Sequence, residues 1–189
     1  MAHIASIGAG LYSDLSIAAP TAALSVATLN NEAAFSALFK SEVASVGGVA
    51  GVGAFVRVKN VREFPPIGTP PNIVNVPTYG QAMSQQIQGQ ADAPNLEMTI
   101  NLVSSEIASG TLLGSMIGDG KLKAFRFALL NSKPTGYASD VAGLGTVENS
   151  IWYWVGKLEA ITVTPNLTDA NTATITATLQ SNMFGAFTL

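Results

Sequence analysis

The 189 residues include no cysteine, which excludes disulfides, thiolate metal sites and thiol nucleophiles. Charge is scarce too. Asp, Glu, Lys and Arg make up 11% of the chain, against roughly 25% in an average soluble domain. His3 is the only histidine, so neither a Ser-His-Asp triad nor a histidine metal cluster is expected around it. Nine basic residues stand against twelve acidic ones, a net charge of −3. Tight binding of nucleic acid needs clustered Lys and Arg and is not expected here. No apolar run approaches the ~20 residues of a membrane-spanning helix. No Lys or Arg precedes Lys40 to form the basic region of a signal peptide. The regular ~10-residue strands and aromatic girdles of an outer-membrane barrel are missing. A soluble protein is the expectation.

What is present is apolar and lightly polar. Hydrophobic residues are 48% of the chain and mean hydropathy is +0.34. Thr, Ser, Asn and Gln supply most of the remaining surface. The length suits one domain, or one domain with an extension, and is enough to bury a substantial core. Such a composition fits a subunit that hides much of its surface against copies of itself.

Along the chain, residues 1–29 are rich in Ala and Ser with weak periodicity, and read as an extended or partly mobile arm. Asn30 and Asn31 offer caps for a helix over about 31–46. Glu32 sits in its first turn, and Phe35, Leu38, Phe39, Val43 and Val46 recur at helical spacing. The arm and helix, residues 1–51, precede a β-rich part, residues 52–189. Val52, Ala54, Val56 and Val58 alternate within a strand predicted over 52–62. Four prolines among Phe64–Pro71 make a loop, because proline cannot donate to a sheet ladder. Strand signals return at 73–79, 83–90 and 95–103. In the last, Leu96, Met98, Ile100 and Leu102 face opposite to Asn95, Glu97, Thr99 and Asn101.

Ser104 or Ser105 then caps a short helix bearing Ala108, Leu112, Leu113, Met116 and Ile117, closed by Gly118-Asp119-Gly120. A strand is predicted over 121–130, a long loop over 131–149, and a long strand over 151–163 that is apolar on both faces at its start. From Thr172 to Gln180, Thr172, Thr174, Thr176 and Thr178 alternate with Ala173, Ile175, Ala177 and Leu179. Threonine suits an exposed sheet face, since β-branching favours strands while the hydroxyl stays wet.

Little of this carries chemistry. Gly8-Ala9-Gly10 imitates a dinucleotide fingerprint, but Ser13 replaces its third glycine and no βαβ unit follows. Glu97, Glu106, Asp119, Glu148 and Glu159 are spread over different elements, and nothing marks two as an acid–base pair. Arg57, Lys59 and Arg62 read either as an intersubunit ion-pair site or as a positively guarded edge strand. Trp152, Tyr153 and Trp154 read as core and subunit contact rather than as a base-stacking platform. Asn166-Leu167-Thr168 fits a glycosylation sequon without a secretory signal to support it. No enzyme and no cofactor is expected.

The strand order resembles a known family. It includes the pairs Tyr79-Gly80-Gln81 and Gln88-Gly89-Gln90, then LEMTINLV, a short helix, GDG and KAFRFALL. The closing run, IWYWVGKLEAITVTPNLTDANTATITATLQ, is similar to that family's final hairpin. Together they resemble the tail tube (major tail) proteins of long-tailed bacteriophages over roughly residues 52–185. The resemblance implies a mainly β fold, a β-sandwich or barrel-like domain with one or two short flanking α-helices. It further implies hexameric rings that stack into a hollow tube conducting DNA, as a virion component made in the host cytoplasm. Type VI secretion tube proteins share this architecture.

Implied partners are further copies of the chain, a tape-measure protein, and tail terminator and tip proteins. DNA passes without specific binding, and no membrane is involved. Either Asn95, Glu97, Thr99 and Asn101 or Thr172, Thr174, Thr176 and Thr178 are expected to line the channel. Arg57, Lys59, Arg62, Phe64, Pro65, Pro66, Pro70, Pro71, Trp152 and Trp154 are candidates for contacts between subunits. The proline loop or the N-terminal arm is expected to reach a neighbouring ring. The competing expectations are a small-molecule-binding β-barrel and a type VI secretion-like tube subunit.

Overall fold

The computed structural model describes residues 13–18, 23–42, 53–68, 72–89, 95–129 and 150–188. They form a mainly β structure, a curled and largely antiparallel sheet shaped as a half-barrel, with three short helices. The strands are β1 (Asp14–Ala18), β2 (Ser41–Glu42), β3 (Ala54–Arg57), β4 (Val61–Glu63), β5 (Ile73–Val76), β6 (Gln85–Gln88), β7 (Asn95–Asn101), β8 (Lys123–Leu129), β9 (Ser150–Thr164), β10 (Thr172–Leu179) and β11 (Phe184–Thr188). The helices are α1 (Glu32–Ser36), α2 (Ser104–Ile107) and α3 (Leu112–Met116). The large sheet runs β2-β3-β1-β8-β9-β10-β7-β4, and β11 joins β9. β5 and β6 form a separate hairpin.

The curl follows from one short link. β3 and β4 are six strand spacings apart in the sheet, roughly 29 Å if the sheet were flat. Only Val58, Lys59 and Asn60 join them, a reach of at most about 14 Å between the flanking Cα atoms. The sheet therefore bends until its ends approach. Asn60 turns the corner with φ 59, a conformation Asn tolerates better than most residues. The Asn101 amide donates to the Asn60 carbonyl at 2.9 Å. The single strand predicted over 52–62 is thus two strands at opposite ends of the sheet.

Inside the curl lies the larger core. Leu15, Ile17, Val56, Val58, Leu96, Met98, Ile100, Phe125, Phe127, Trp154, Leu158, Ile175 and Leu179 converge there with Leu112, Leu113 and Met116 of α3. Phe125 and Trp154 stack with ring centres 5.4 Å apart. The helix predicted across 104–117 is broken in two at Ala108–Thr111. The Thr111 hydroxyl donates to the Glu106 and Ala108 carbonyls and accepts from the Gly114 amide, starting a new helix. Gly114 is needed there, because an added Cβ would strike the Ala108 carbonyl.

A second core covers the outer face of β1, β3, β8 and the start of β9. Phe35 stacks on Tyr153 at 5.2 Å, while Phe39, Phe55, Ala124 and Val155 pack around them. Asn31 caps α1 by accepting from the Ala34 amide. The helix ends at Ser36, short of the predicted 46, because Ser41–Glu42 pairs in parallel with β3. Val43 and Val46 lie outside the described residues.

The arm contributes a strand. β1 lies between β3 and β8, with Leu15 and Ile17 turned to the inner core and Asp14 and Ser16 to the outer face. Those polar groups are buried but matched. Asp14 meets Arg57 at 2.9 Å and Arg126 at 3.8 Å, and the Ser16 hydroxyl donates to Asp14. The Arg126 guanidinium also lies 4.9 Å from the Phe39 ring centre and 5.0 Å from that of Phe55. Among the described residues, no helix is long and apolar enough to cross a membrane.

Burial pushes the Tyr153 phenol up to about 12, against the lowering effect of the nearby Arg126 charge and with a small rise from Glu32. The folded chain therefore keeps a proton that the unfolded chain releases near the ordinary phenol value of about 10. This contribution to stability is complete below pH 10 and is lost as pH rises toward 12. Among the described residues the hydroxyl has no hydrogen-bond partner. Tyr153→Phe should thus be neutral or slightly stabilising at pH 7 and should lose less stability between pH 10 and 12. Denaturant midpoints across that range check this; equal alkaline loss in both proteins would contradict it.

Candidate functional site: a polar sheet face and an exposed hairpin

The two candidate polar rows are neighbours on one face. β10 pairs with β7 so that Thr172 lies opposite Asn101, Thr174 opposite Thr99, Thr176 opposite Glu97 and Thr178 opposite Asn95. On the other side of β10, the same four threonines face Thr164, Thr162, Ala160 and Lys157 of β9. Four transverse rows of three residues result. The alternate residues of β7 and β10 point inward: Leu96, Met98, Ile100, Ala173, Ile175, Ala177 and Leu179 are all 3% exposed or less.

The polar face carries little charge. Glu97 and Lys157 belong to its rows, and Glu159 joins them at a bulge between β9 and β10. The Thr178 hydroxyl donates to Glu159 at 2.8 Å. Hydroxyls and amides on such a face exchange hydrogen bonds with water. They offer neither clustered cations for phosphates nor aromatic rings on which bases could stack.

Asp119 and Glu106, on other elements, have separate partners. Asp119 accepts from the Lys123 ammonium at 2.6 Å, and Glu106 accepts from Asn60 at 3.5 Å. Burial works to raise the Asp119 carboxyl. The bonds from Lys123 and the Lys121 amide, with the charges of both lysines, outweigh it and hold the group below its usual value. Gly118 and Gly120, with φ 68 and 69, give the tight turn that aims Asp119 at these donors. Among the described residues no group of three His, Cys, Asp or Glu could hold a metal ion. Glu148, His3 and the Gly8–Gly10 motif lie outside them.

The candidates for subunit contact are scattered. Arg57 is buried in its ion pair with Asp14. Lys59 and Arg62 are exposed, and Arg62 meets Asp169 at 3.6 Å in a solvated pair of little energetic weight. Phe64 packs edge-on against Phe127 at 5.2 Å, and Ile67 rests on the same core. The first half of the proline loop is therefore fastened to its own subunit. Pro65 is half-buried and Pro66 exposed, while Pro70 and Pro71 lie outside the described residues. Trp154 is 1% exposed, and Trp152 is half-buried beside Phe127.

One surface went unrecognised in the sequence. The β5–β6 hairpin stands apart from the main sheet, and both strands are exposed throughout. Ile73, Val74, Val76, Tyr79, Met83 and Ile87 are all exposed there. The available signal was charge: Asn72 to Gly89 includes no Asp, Glu, Lys or Arg.

No protein-family model matches this sequence, and comparison with curated proteins gives no match. Among solved structures, the chain is similar to the extended-state sheath/tube terminator of PVC, an extracellular contractile injection system. That likeness has a TM-score of 0.49 and 12% identity over 69% of this chain and 88% of the other. It is also similar to a chain of the anti-feeding prophage baseplate, with TM-score 0.44 and 9% identity over 70% and 85% of the two chains. A chain of the anti-feeding prophage tube terminating cap gives TM-score 0.43 and 14% identity over 68% and 80%. At these scores and identities the likenesses fix neither family nor function.

The two sides of β10 should respond differently to substitution. Ile175→Ala should cost about 2–5 kcal/mol by opening a cavity. Thr174→Lys, one residue away on the wet face, should stay within about 0.5 kcal/mol. Chemical denaturation of the isolated subunit reads both, and comparable losses would contradict the assigned faces.

Proposed function

We propose that this chain is a structural subunit of a phage-type tail. In this reading, copies close into hexameric rings that stack into a hollow tube, and DNA passes through the bore. The observation that carries it is the continuous Thr/Asn face of β7, β10 and the second half of β9, backed by core and almost without positive charge. A conduit must not grip its cargo, and a face with one lysine and two glutamates gives phosphates little to hold. The polar rows thus act together as the candidate lumen, rather than as alternatives. The strand pattern of tail tube proteins in the sequence supports the same reading.

Assembly also accounts for the composition. A sheet that continues into its neighbours loses its open edges, which offsets the small number of protecting charges. Head-to-tail stacking of rings is a heterologous contact that repeats without limit and gives a filament. The partners would be further copies of the chain, a tape-measure protein filling the bore, and terminator and tip proteins at its ends. The particle would be a virion tail or, alternatively, a type VI secretion-like tube. A small-molecule-binding barrel is less well supported, because α3 fills the inside of the curl with Leu112, Leu113 and Met116.

Negative-stain imaging and sizing of the purified protein test this reading. Rings or tubes are expected; a particle that stays at 19.5 kDa at every concentration and with a nucleating tip complex would contradict it. The lumen assignment is tested with Thr99→Arg combined with Thr174→Arg. Variant tubes should still form and should retain DNA that wild-type tubes release, with retention falling as salt rises. Equal retention by both would remove these residues from the bore.

A further inference from the structure

Among the described residues, the large sheet has an open edge in its middle. β8 pairs with β9 only from Ser150 to Gly156. Beyond that point the Gly118 amide donates to the Leu158 carbonyl at 2.8 Å. From Ala160 to Thr164, β9 pairs with β10 along one edge and with no described strand along the other. This segment contains neither Pro nor a charged residue, the usual guards of an exposed edge. Ala160, Thr162, Val163 and Thr164 are exposed, and Val163, on the apolar side of the strand, is 44% exposed.

The β5–β6 hairpin has the matching properties. Each of its strands is four residues long, close to the five of Ala160–Thr164. Its register places Val74 opposite Ile87 and Val76 opposite Gln85 on one face. Ile73 lies opposite Gln88, and Asn75 opposite Gln86, on the other. One face is thus mostly apolar and the other mostly amide. An isolated two-stranded hairpin is marginal in water and gains from a third strand.

We propose that the β5–β6 hairpin of one copy adds to the open Ala160–Thr164 edge of a second copy by strand addition. Added in this way, Val74, Val76 and Ile87 extend the apolar side beside Ile161 and Val163. Asn75, Gln86 and Gln88 then extend the polar face beside Thr162 and Thr164. The period of two along each strand makes these placements consistent, since a one-residue slip would turn both faces over. The contact is heterologous, joining different surfaces of two identical chains, so it propagates into a ring or a filament. The inference deepens the assembly reading above and rests on it.

The absence of cysteine makes the test clean. Copies bearing Thr162→Cys are mixed with copies bearing Asn75→Cys or Gln86→Cys, assembled, and treated with a short bismaleimide, which tolerates a shift of one pair along the strands. A cross-linked species at twice the subunit mass is expected in the mixtures and not in either variant alone. In parallel, Val74→Lys with Ile87→Lys should abolish the high-mass species and leave the denaturation midpoint of the monomer unchanged. If wild-type assemblies form but cross-linking fails, or the double lysine variant assembles normally, the strand addition is wrong and the assembly reading stands. If the wild-type protein forms no assembly, both fall.

Discussion

The three-residue link from β3 to β4 is the constraint on which the rest of the structure depends. It ties together two strands that the pairing order places at opposite ends of the sheet. A sheet held in this way cannot lie flat. Its inner face closes around Phe125, Trp154, Met98 and the α3 side chains, and its outer face turns outward over β7, β10 and the second half of β9. The alternation of side chains sets the polarity of the two faces, and the bend gathers the apolar one around the core.

The outer face is divided between two tasks. Over β1, β3, β8 and the start of β9 it is covered by Phe35, Phe39 and the aromatic residues of β11. Over β7 and β10 it is open and hydroxylated. β9 crosses this division: apolar on both sides from Ile151 to Val155, it becomes two-faced after the bulge at Glu159. The buried Asp14–Arg57–Arg126 cluster sits under the covered part, where the charges find partners within the subunit. Breaking such a cluster by removing one member is costly, often about 3–5 kcal/mol, so it helps to fix β1 in register between its neighbours.

Elements with strict local period were legible in the sequence. β7 and β10 announce themselves by alternation, and the two-sided apolar start of β9 by its run of large residues. What failed was long-range. Nothing within Val52–Arg62 says that its halves pair at opposite ends of the sheet. β1 was obscured because its polar side is buried, and Asp14 and Ser16 are matched by arginines from strands far along the chain. The helix break at Thr111 was hidden by an apolar stripe that continues across it. The two polar rows read as alternatives because a single strand does not name its neighbour. The expected loop over 131–149 lies outside the described residues.

A bore of the proposed kind would be passive, its character spread over rows of residues rather than concentrated in a cluster. The claim at the centre of the account is that the threonine face of β10 and the polar face of β7 line a bore. A helical or ring reconstruction of the assembled protein by electron cryomicroscopy tests it directly. The account predicts a hollow assembly with Thr172, Thr174, Thr176, Thr178 and Thr99 turned to the central channel. An assembly in which that face lies on the outside, or is buried between subunits, would contradict it.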